Sequence, residues 1–575
     1  MTIPVLPEVV ETPPIARRRR WRGRPRPASI PAGDWPEIIG RILALRGITD
    51  DAAASAFLAE PVGMPDPYAL PDLDVAVERL ARAAREHETV AVFGDFDVDG
   101  VTSVAQLTEA LESLGAAPIG YVPDRFSEGY GLNAAAIDRL RAAGATLLMT
   151  ADCGTSSVAE VAHARRLGID VIILDHHTVP PVLPGANALV NPKRTDARPG
   201  ALLELATAGL AFHVAAALHD RLGRPFDAQR YLDVAALGTV CDMAPLADEN
   251  RRLLRTGLPA LARTQRPGVR ALMQVAGVDP ARVTAEDVGY RLGPRLNAAG
   301  RIAHAKLALE LLTTRDEERG RALAEDLDAL NRTRQQKTTD AVRLATEMMG
   351  EGDPPPLVMI GHPEFSSGIV GLIASKLVTL YARPAVVYEL GETTSRASCR
   401  SIDEFHITDA LRSCADLFVR FGGHRQAAGF TVENAKLDEL RVRLIAEAER
   451  ELVGVELIPV QPIDCNLPLR ALRADEIRWL ARLGPFGVGN PAPAFLARGA
   501  RVVEARYVGA DGRHLKLKLR DGNATWPAIG FELGECAVEE GDAVDVVYGI
   551  GGEGFGGTLE LEVLDLRPAE TQPAS

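Results

Sequence analysis

The chain has 575 residues, 46% hydrophobic and 25% charged, with a formal net charge of -14. That length predicts several domains, roughly three or four, of ordinary soluble composition. The numbers exclude a membrane span of about 18 apolar residues, a signal-peptide order at the N-terminus, and indiscriminate binding to nucleic acid, which a net acidic charge opposes.

Residues 1–35 read as a disordered Arg/Pro-rich tail. "RRRRWRGRPR", 17–26, packs seven arginines into ten positions. Such a run is a solubilising tail or a phosphate-attracting arm. Residues 36–84 read as an N-terminal helical segment with Pro-rich joints. From 85 to 250 short apolar runs alternate with amphipathic ones. "TVAVFG" predicts a strand, and "TSVAQLTEALESLG" a helix capped by Thr102 or Ser103. "PIGYVP", "TLLMT" and "DVIIL" are further strands, with "AAAIDRLRAAG" and "VAEVAHARRLG" as helices between them. The alternation predicts an α/β domain with a doubly wound parallel sheet. Its strands are apolar throughout, so both faces should be covered. Residues 251–350 read as a helical linker region, with one or two long helices over 305–349. "GDPPP" marks a boundary. A smaller α/β unit over 351–455 and a small β-barrel over 456–570 complete the chain.

The chemistry concentrates where strands end. In "FGDFDVDGVTS", Asp95, Asp97 and Asp99 follow the first strand. Like charges this close are tolerated where a divalent cation sits between them. An EF-hand loop is the rival reading, but its twelfth position here is Gln106 and a strand precedes it. Asp152 in "TADCGTS" ends another strand, and "DHH", Asp175, His176 and His177, ends a third. Ligands gather at the carboxyl ends of strands in such sheets. If the tip stays extended, the adjacent histidines point opposite ways, one toward metal and one to another role. Asp242 in "ALGTVCDMAPL" follows an apolar helical segment and has no special meaning alone. Cys153, Cys241, Cys399, Cys414, Cys465 and Cys536 are scattered singly, which speaks against a disulfide framework or zinc knuckle and for the cytoplasm.

DxDxDG, ADCGTS, LDHH and GTVCDMAPL, in this order, resemble the four motifs of the DHH phosphoesterase superfamily. "GPRLNAAGR", "SGIVGLIASKL", "GGHRQAAGF" and "GPFGVGNPAPAF" extend the resemblance to its branch of bacterial single-strand-specific DNA exonucleases, over roughly residues 85–570. The resemblance implies a DHH catalytic domain at 85–250, a DHH-associated substrate-binding domain at 351–455 and an OB-fold-like nucleic-acid-binding domain at 456–570. It implies two ions, Mn²⁺ or Mg²⁺. Asp99, Asp152, His176 and Asp242 would hold one; Asp97 and Asp152, helped by Asp95, the other. Oxygen-rich sites with an imidazole suit those metals, and two ions about 3.5–4 Å apart clamp a phosphoryl group. Phe93 stands where superfamily pyrophosphatases carry a histidine. His177 is expected at the phosphate or the leaving oxygen, with Asp175 orienting a histidine.

The expected substrate contacts are Arg295, Asn297 and Arg301 in "GPRLNAAGR", Ser366 in "SSGIVG", Arg396, Arg400, and His424 in "GGHRQAAGF". In "RHLKLKLR" alternation places Lys516 and Lys518 on one face of a strand, suited to a single-strand backbone. Each has a plain structural rival: helix arginines paired with acids, an ordinary helix start, a tight turn, a solvated sheet face. The function implied is metal-dependent 5′-to-3′ hydrolysis of single-stranded DNA to 5′-mononucleotides in recombination and repair. The alternatives are a phosphodiesterase for cyclic dinucleotides or very short oligonucleotides, and a catalytically dead binding module acting as a scaffold. The resemblance also implies a monomer working with single-strand binding protein and a RecQ-type helicase.

Overall fold

The computed structural model describes residues 19–569 apart from 351, 510–511 and 554–558. The chain divides into two units: 61–455 with 487–489, and 1–60 with 456–486 and 490–575.

The larger unit opens on a parallel sheet. Its strands are β1 (Thr89–Gly94), β2 (Ala117–Tyr121), β3 (Leu147–Ala151), β4 (Asp170–Leu174) and β5 (Ala188–Val190), in the order β2-β1-β3-β4-β5. Both faces are covered, as the apolar strands require. Val90 and Val92 of β1 face the helix Leu73–Arg85 and its neighbours. Ala91 and Phe93 face the crossover helices Ala134–Ala142 and Val158–Arg166. Phe93, at the histidine position, is fully buried and stacked on Tyr121. The connections run outward on either side of β1, so the strand order reverses between β1 and β3. That reversal leaves a crevice at the carboxyl ends of those two strands.

Three helices frame the crevice: α1 (Val98–Ser113), α2 (Thr207–Arg221) and α3 (Gln229–Cys241). The expected cap of α1 is displaced. The helix starts at Val98, because the Asp97 carboxylate accepts the Gly100 N–H at 3.1 Å, and Thr102 and Ser103 are buried inside it. Asp99 therefore sits in the first turn. Gln106 is buried and donates to the Ala208 carbonyl, which fits a packed helix and no calcium loop.

Further along come α4 (Gly293–Ile302) and a single 33-residue helix, α5 (Glu317–Met349). A mixed five-stranded sheet follows: β6 (Val358–His362), β7 (Ala385–Glu389), β8 (Thr394–Arg400), β9 (Phe418–Gly423) and β10 (Ala427–Glu433), ordered β9-β10-β8-β7-β6. Helix α6 (Val370–Tyr381) packs on it. Gly368, just before α6, abuts α4: a Cβ there would lie 1.9 Å from the Arg301 carbonyl oxygen.

In the smaller unit five strands form a barrel closed by pairing of Phe495–Val508 with Ala543–Glu553, and the short strand Cys465–Asn466 adds to it alongside Phe495–Val508. The tail expectation fails here from Arg19 onward. Arg20–Gly23 is a strand, parallel to Val460–Ile463. Trp21, in the middle of the arginine run, is fully buried and donates to Asp565 at 2.7 Å, with Arg567 stacked 4.3 Å from its ring. Arg20 and Arg24 pair with Glu456 and Asp464. One large apolar ring and two acids outweigh the charge run. Residues 1–18 of that tail lie outside the described residues. The 36–84 segment also divides: Glu37–Leu45 and Asp51–Leu58 pack in the barrel core, Leu73–Arg85 on the parallel sheet. Among the described residues no helix is long and apolar enough to cross a membrane.

Candidate metal centre

The carboxyl ends of β1, β3 and β4 and the end of α3 deliver their acids and imidazoles to one place. Ligand atoms of Asp95, Asp97 and Asp152 lie within 4.8 Å of one another, as do those of Asp99, His176 and Asp242. Asp152 joins the two groups, with Oδ1 3.3 Å from His176 Nε2. His176 Nε2 is also 3.6 Å from Asp242 and 3.9 Å from Asp99. Local folding explains the convergence. Asp152 has a left-handed backbone, φ 67°, a strained setting that turns its side chain off the strand tip. Asp99 is gripped from behind: both oxygens accept N–H groups of Thr207 and Ala208, at 2.8 and 2.7 Å, at the positive end of α2. Gly238 lets α3 approach; a Cβ there would meet Thr102 Oγ1 at 2.3 Å and Asp99 Oδ1 at 3.2 Å.

The electrostatics favour a bound cation. Burial, then the neighbouring carboxylates, push Asp95, Asp99 and Asp152 well above the usual range, and Asp242 up to about 7. Asp95 Oδ1 is buried without a hydrogen-bond donor. An orphaned carboxylate oxygen beside four other acids fits a divalent ion. Burial and the His177 charge hold His176 down at about 3, neutral and ready to ligate.

The histidines do not diverge as an extended tip would dictate. The strand ends at Leu174, and the rings sit edge to face with centroids 4.8 Å apart. Both face Asp152, His177 Nδ1 at 3.8 Å. Asp175 lies on His177, Oδ1 to Nδ1 2.7 Å, and also accepts the N–H groups of Thr155, His176 and His177. Burial works against both charges, yet these bonds hold Asp175 low and lift His177 to about 9. His177 Nε2 is left facing outward, 3.5 Å from the Tyr130 hydroxyl.

Beside Asp97 is a small cavity of about 110 Å³, lined by Phe96, Asp97, Arg125, Asn297, Gly300 and Arg301. Arg125 lies over the Phe96 ring at 4.4 Å. Burial and mutual repulsion hold Arg301 down at about 10, with Arg125, Arg334 and Arg400 among the charges acting on it. Arg301 donates to the Gly368 carbonyl, Arg334 to Asn331 and Arg400 to Ser398. None of the four arginines forms an ion pair among the described residues.

The other expected contacts divide. Arg295 is engaged with Asp328 at 2.9 Å, the ordinary helix ion pair, and does not line the cavity. The expected anion site at "SSGIVG" holds protein groups instead: the Ser366 N–H donates to the Glu364 carbonyl and the Ser367 N–H to the Glu389 carboxylate. Arg396 is exposed on the same face of β8 as Arg400. His424 is exposed in the tight turn between β9 and β10. In the barrel unit Leu515, Leu517 and Leu519 are buried while Lys516 and Lys518 are exposed, with Lys516 3.4 Å from Glu560. Thr207, whose hydroxyl donates to Asp152 at 3.1 Å, and Arg125 and Arg334 carried no sequence signal.

Comparison with known proteins agrees with this layout. The DHH family N-terminal domain matches residues 89–239, the DHHA1 domain 354–451 and the RecJ OB domain 463–565. The single-stranded-DNA-specific exonuclease RecJ of Salmonella typhimurium is 35% identical over 576 residues, covering 95% of this chain and 98% of that protein. The chain belongs to the RecJ family. RecJ of Bacillus subtilis is 36% identical over 519 residues, 89% of this chain and 65% of that longer protein. The crystal structure of Thermus thermophilus RecJ in complex with Mn²⁺ matches with a TM-score of 0.81 at 30% identity, covering 96% of this chain and 80% of that one. A Mg²⁺ complex of the same RecJ matches with a TM-score of 0.74.

Proposed function

We propose that this RecJ-family chain is a metal-dependent exonuclease that hydrolyses single-stranded DNA from its 5′ end, releasing 5′-mononucleotides, in recombination and repair. The observation that carries the reading is the pair of acid–imidazole groups sharing Asp152, opening beside an arginine-lined cavity with room for about one phosphate. Asp99, Asp152, His176 and Asp242 would hold one divalent ion; Asp95, Asp97 and Asp152 the other. Ions bound there neutralise phosphate charge and lower the pKa of water. Mn²⁺ or Mg²⁺ fits so oxygen-rich a donor set.

The protein's own groups do the rest. Arg125, Arg301 and Arg400 are desolvated cations without carboxylate partners, suited to a terminal phosphate. Asn297 adds a neutral amide to the cavity wall. A cavity this small ends the path of the strand, so cleavage begins at a terminus. The Asp175 carboxylate on Nδ1 favours the charged form of His177 and anchors the ring, which leaves Nε2 to stabilise charge or give a proton at the leaving oxygen. The exposed Lys516 and Lys518 offer the continuing strand a basic stripe. The 5′ polarity, the single-strand binding protein and RecQ-type helicase as partners, the monomeric state and the cytoplasmic setting come with the family resemblance and belong to the same proposal.

The test is digestion of single strands labelled at the 5′ or the 3′ end, with and without Mn²⁺. A labelled mononucleotide released first from the 5′-labelled strand, only with metal, is the expected result. First release from the 3′ label, or equal turnover without metal, would overturn it.

A further inference from the structure

The loop after β5 presents a cation that neither ion group nor the arginine cavity uses. Asn191 is fully buried and donates to the His177 carbonyl at 2.9 Å and to Thr155 Oγ1 at 3.1 Å. Its Oδ1 accepts the Lys193 N–H at 2.9 Å. One amide side chain thus fastens the Lys193 backbone to the histidine pair. Arg194 holds the loop from the other side, pairing with Asp72 at 2.6 Å and donating to the Leu189 carbonyl at 2.8 Å. Arg194 is taken up by Asp72 and Asp196. Lys193 is exposed and forms no ion pair among the described residues.

The cations around the ion groups therefore fall into two sets. Arg125 acts on Asp95 and Asp97, and Arg301 on Asp97. The Lys193 ammonium acts on His176, Asp242 and His424. The first set closes a cavity of about 110 Å³. The second stands in the open with His424. A strand that ends in the closed set and crosses both ion groups must continue past the open one.

We propose that Lys193 is a substrate-positioning residue that holds the phosphodiester on the 3′ side of the scissile linkage. The assignment rests on the nuclease reading above. A lysine suits this position because it is a compact charge on a flexible stem, and a backbone phosphate passing in either rotamer needs no fixed fork. His424 faces the same phosphate from the neighbouring turn.

The test uses 5′-phosphorylated oligonucleotides carrying one methylphosphonate, which removes the charge of the phosphate 3′ to the first scissile linkage. Full-length wild type should lose about tenfold in kcat/KM on this substrate, the size expected for one charged contact. Lys193→Ala should lose a similar factor on the ordinary strand, mostly in KM, and be indifferent to the methylphosphonate. Lys193→Arg should recover most of the loss. Mn²⁺-induced thermal shifts of Lys193→Ala should match or exceed those of wild type, since a repelling charge has gone. A wild-type KM in Lys193→Ala, an undiminished methylphosphonate effect, or weakened Mn²⁺ binding would each overturn the assignment while leaving the nuclease reading intact. A wild type inactive on every strand would sink that reading first, and this one with it.

Discussion

In the barrel, Asp521, Asp545 and Asp565 are buried and each is answered by a donor. Asp521 accepts Arg470 at 2.6 Å, Asp545 the Gly499 N–H at 2.9 Å with Arg498 and Arg567 nearby, and Asp565 the Trp21 indole. At the parallel-sheet edge, Asp95, Asp99, Asp152 and Asp242 crowd one another, the donors to Asp99 and Asp152 are neutral N–H and O–H groups, and the His176 imidazole is neutral. The same residue type is structural in one region and an unfinished site in the other. What separates them is where the balancing charge comes from: the chain itself, or an ion from solution.

Breaking the shared ligand gives the largest effect. Asp152→Ala removes the one carboxylate common to both ion groups. Its metal-dependent turnover of labelled single strands should fall by more than about 10³-fold, beyond what losing one oxyanion donor typically costs. Its fold should survive, with an unchanged circular dichroism spectrum, because the substitution removes a buried carboxylate crowded by other acids at the loss of one hydrogen bond, from the Thr207 hydroxyl. Residual metal-dependent activity within tenfold of wild type would show that the sheet edge is not the active centre.

The barrel should answer the same kind of change with unfolding. Asp565→Ala leaves the buried Trp21 N–H without its acceptor, a loss of roughly 1–3 kcal/mol. Trp21→Ala empties a fully buried site and should cost roughly 3–5 kcal/mol. Both should lower the denaturant midpoint of the barrel transition. An unshifted midpoint in Trp21→Ala would mean that the Arg20–Gly23 strand is dispensable.

Asp242→Asn sharpens the contrast in the opposite direction. Burial and then Asp97 raise its carboxyl from 3.8 to about 7 in the fold. A raised folded-state value stabilises at low pH and is lost as pH climbs from about 4 to 7. Metal-free wild type should therefore lose stability across that window, and Asp242→Asn should gain a few kcal/mol over it at pH 8, about 1.4 kcal/mol for each unit of the shift as an upper bound. Mn²⁺ competes with the same protons, so its thermal stabilisation should grow between pH 5 and 7.5 and then level. A Mn²⁺ shift that is flat with pH would remove Asp242 from the ligand set.

Much of this edge was legible in the sequence because acids after apolar strands, in a sheet of alternating strands and helices, have one place to go. Asp95, Asp152 and Asp175 each follow an apolar run whose place in the strand–helix alternation gives its direction. Asp242 was legible only through the family resemblance. What could not be read depends on distant partners. Thr207 meets Asp152 across 55 positions, and Arg125 becomes a phosphate candidate only because α4 seals the space beside it. Arginines are too common for type alone to mark one. The tail misled for a related reason: its charge was visible, while the partners of Trp21 lie more than 400 residues away. Arg295 pairs with Asp328, 33 positions along, and the Ser367 N–H is taken by Glu389, 22 positions along, so neither engagement shows locally.

The smallest expected effect tests whether the barrel's outer charges serve the strand or merely the solvent. Lys518 is exposed and Lys516 is partly engaged by Glu560, so Lys518 is the freer of the two. If it follows a phosphate, Lys518→Ala should weaken binding of a long single strand by a few-fold and flatten the slope of log K against log salt by about 0.7. Turnover of a dinucleotide, too short to be gripped in two places, should be unchanged. If the mutant keeps the wild-type salt slope on long strands, the stripe is a solvated sheet face, and grip on the strand has to be assigned to the larger unit alone.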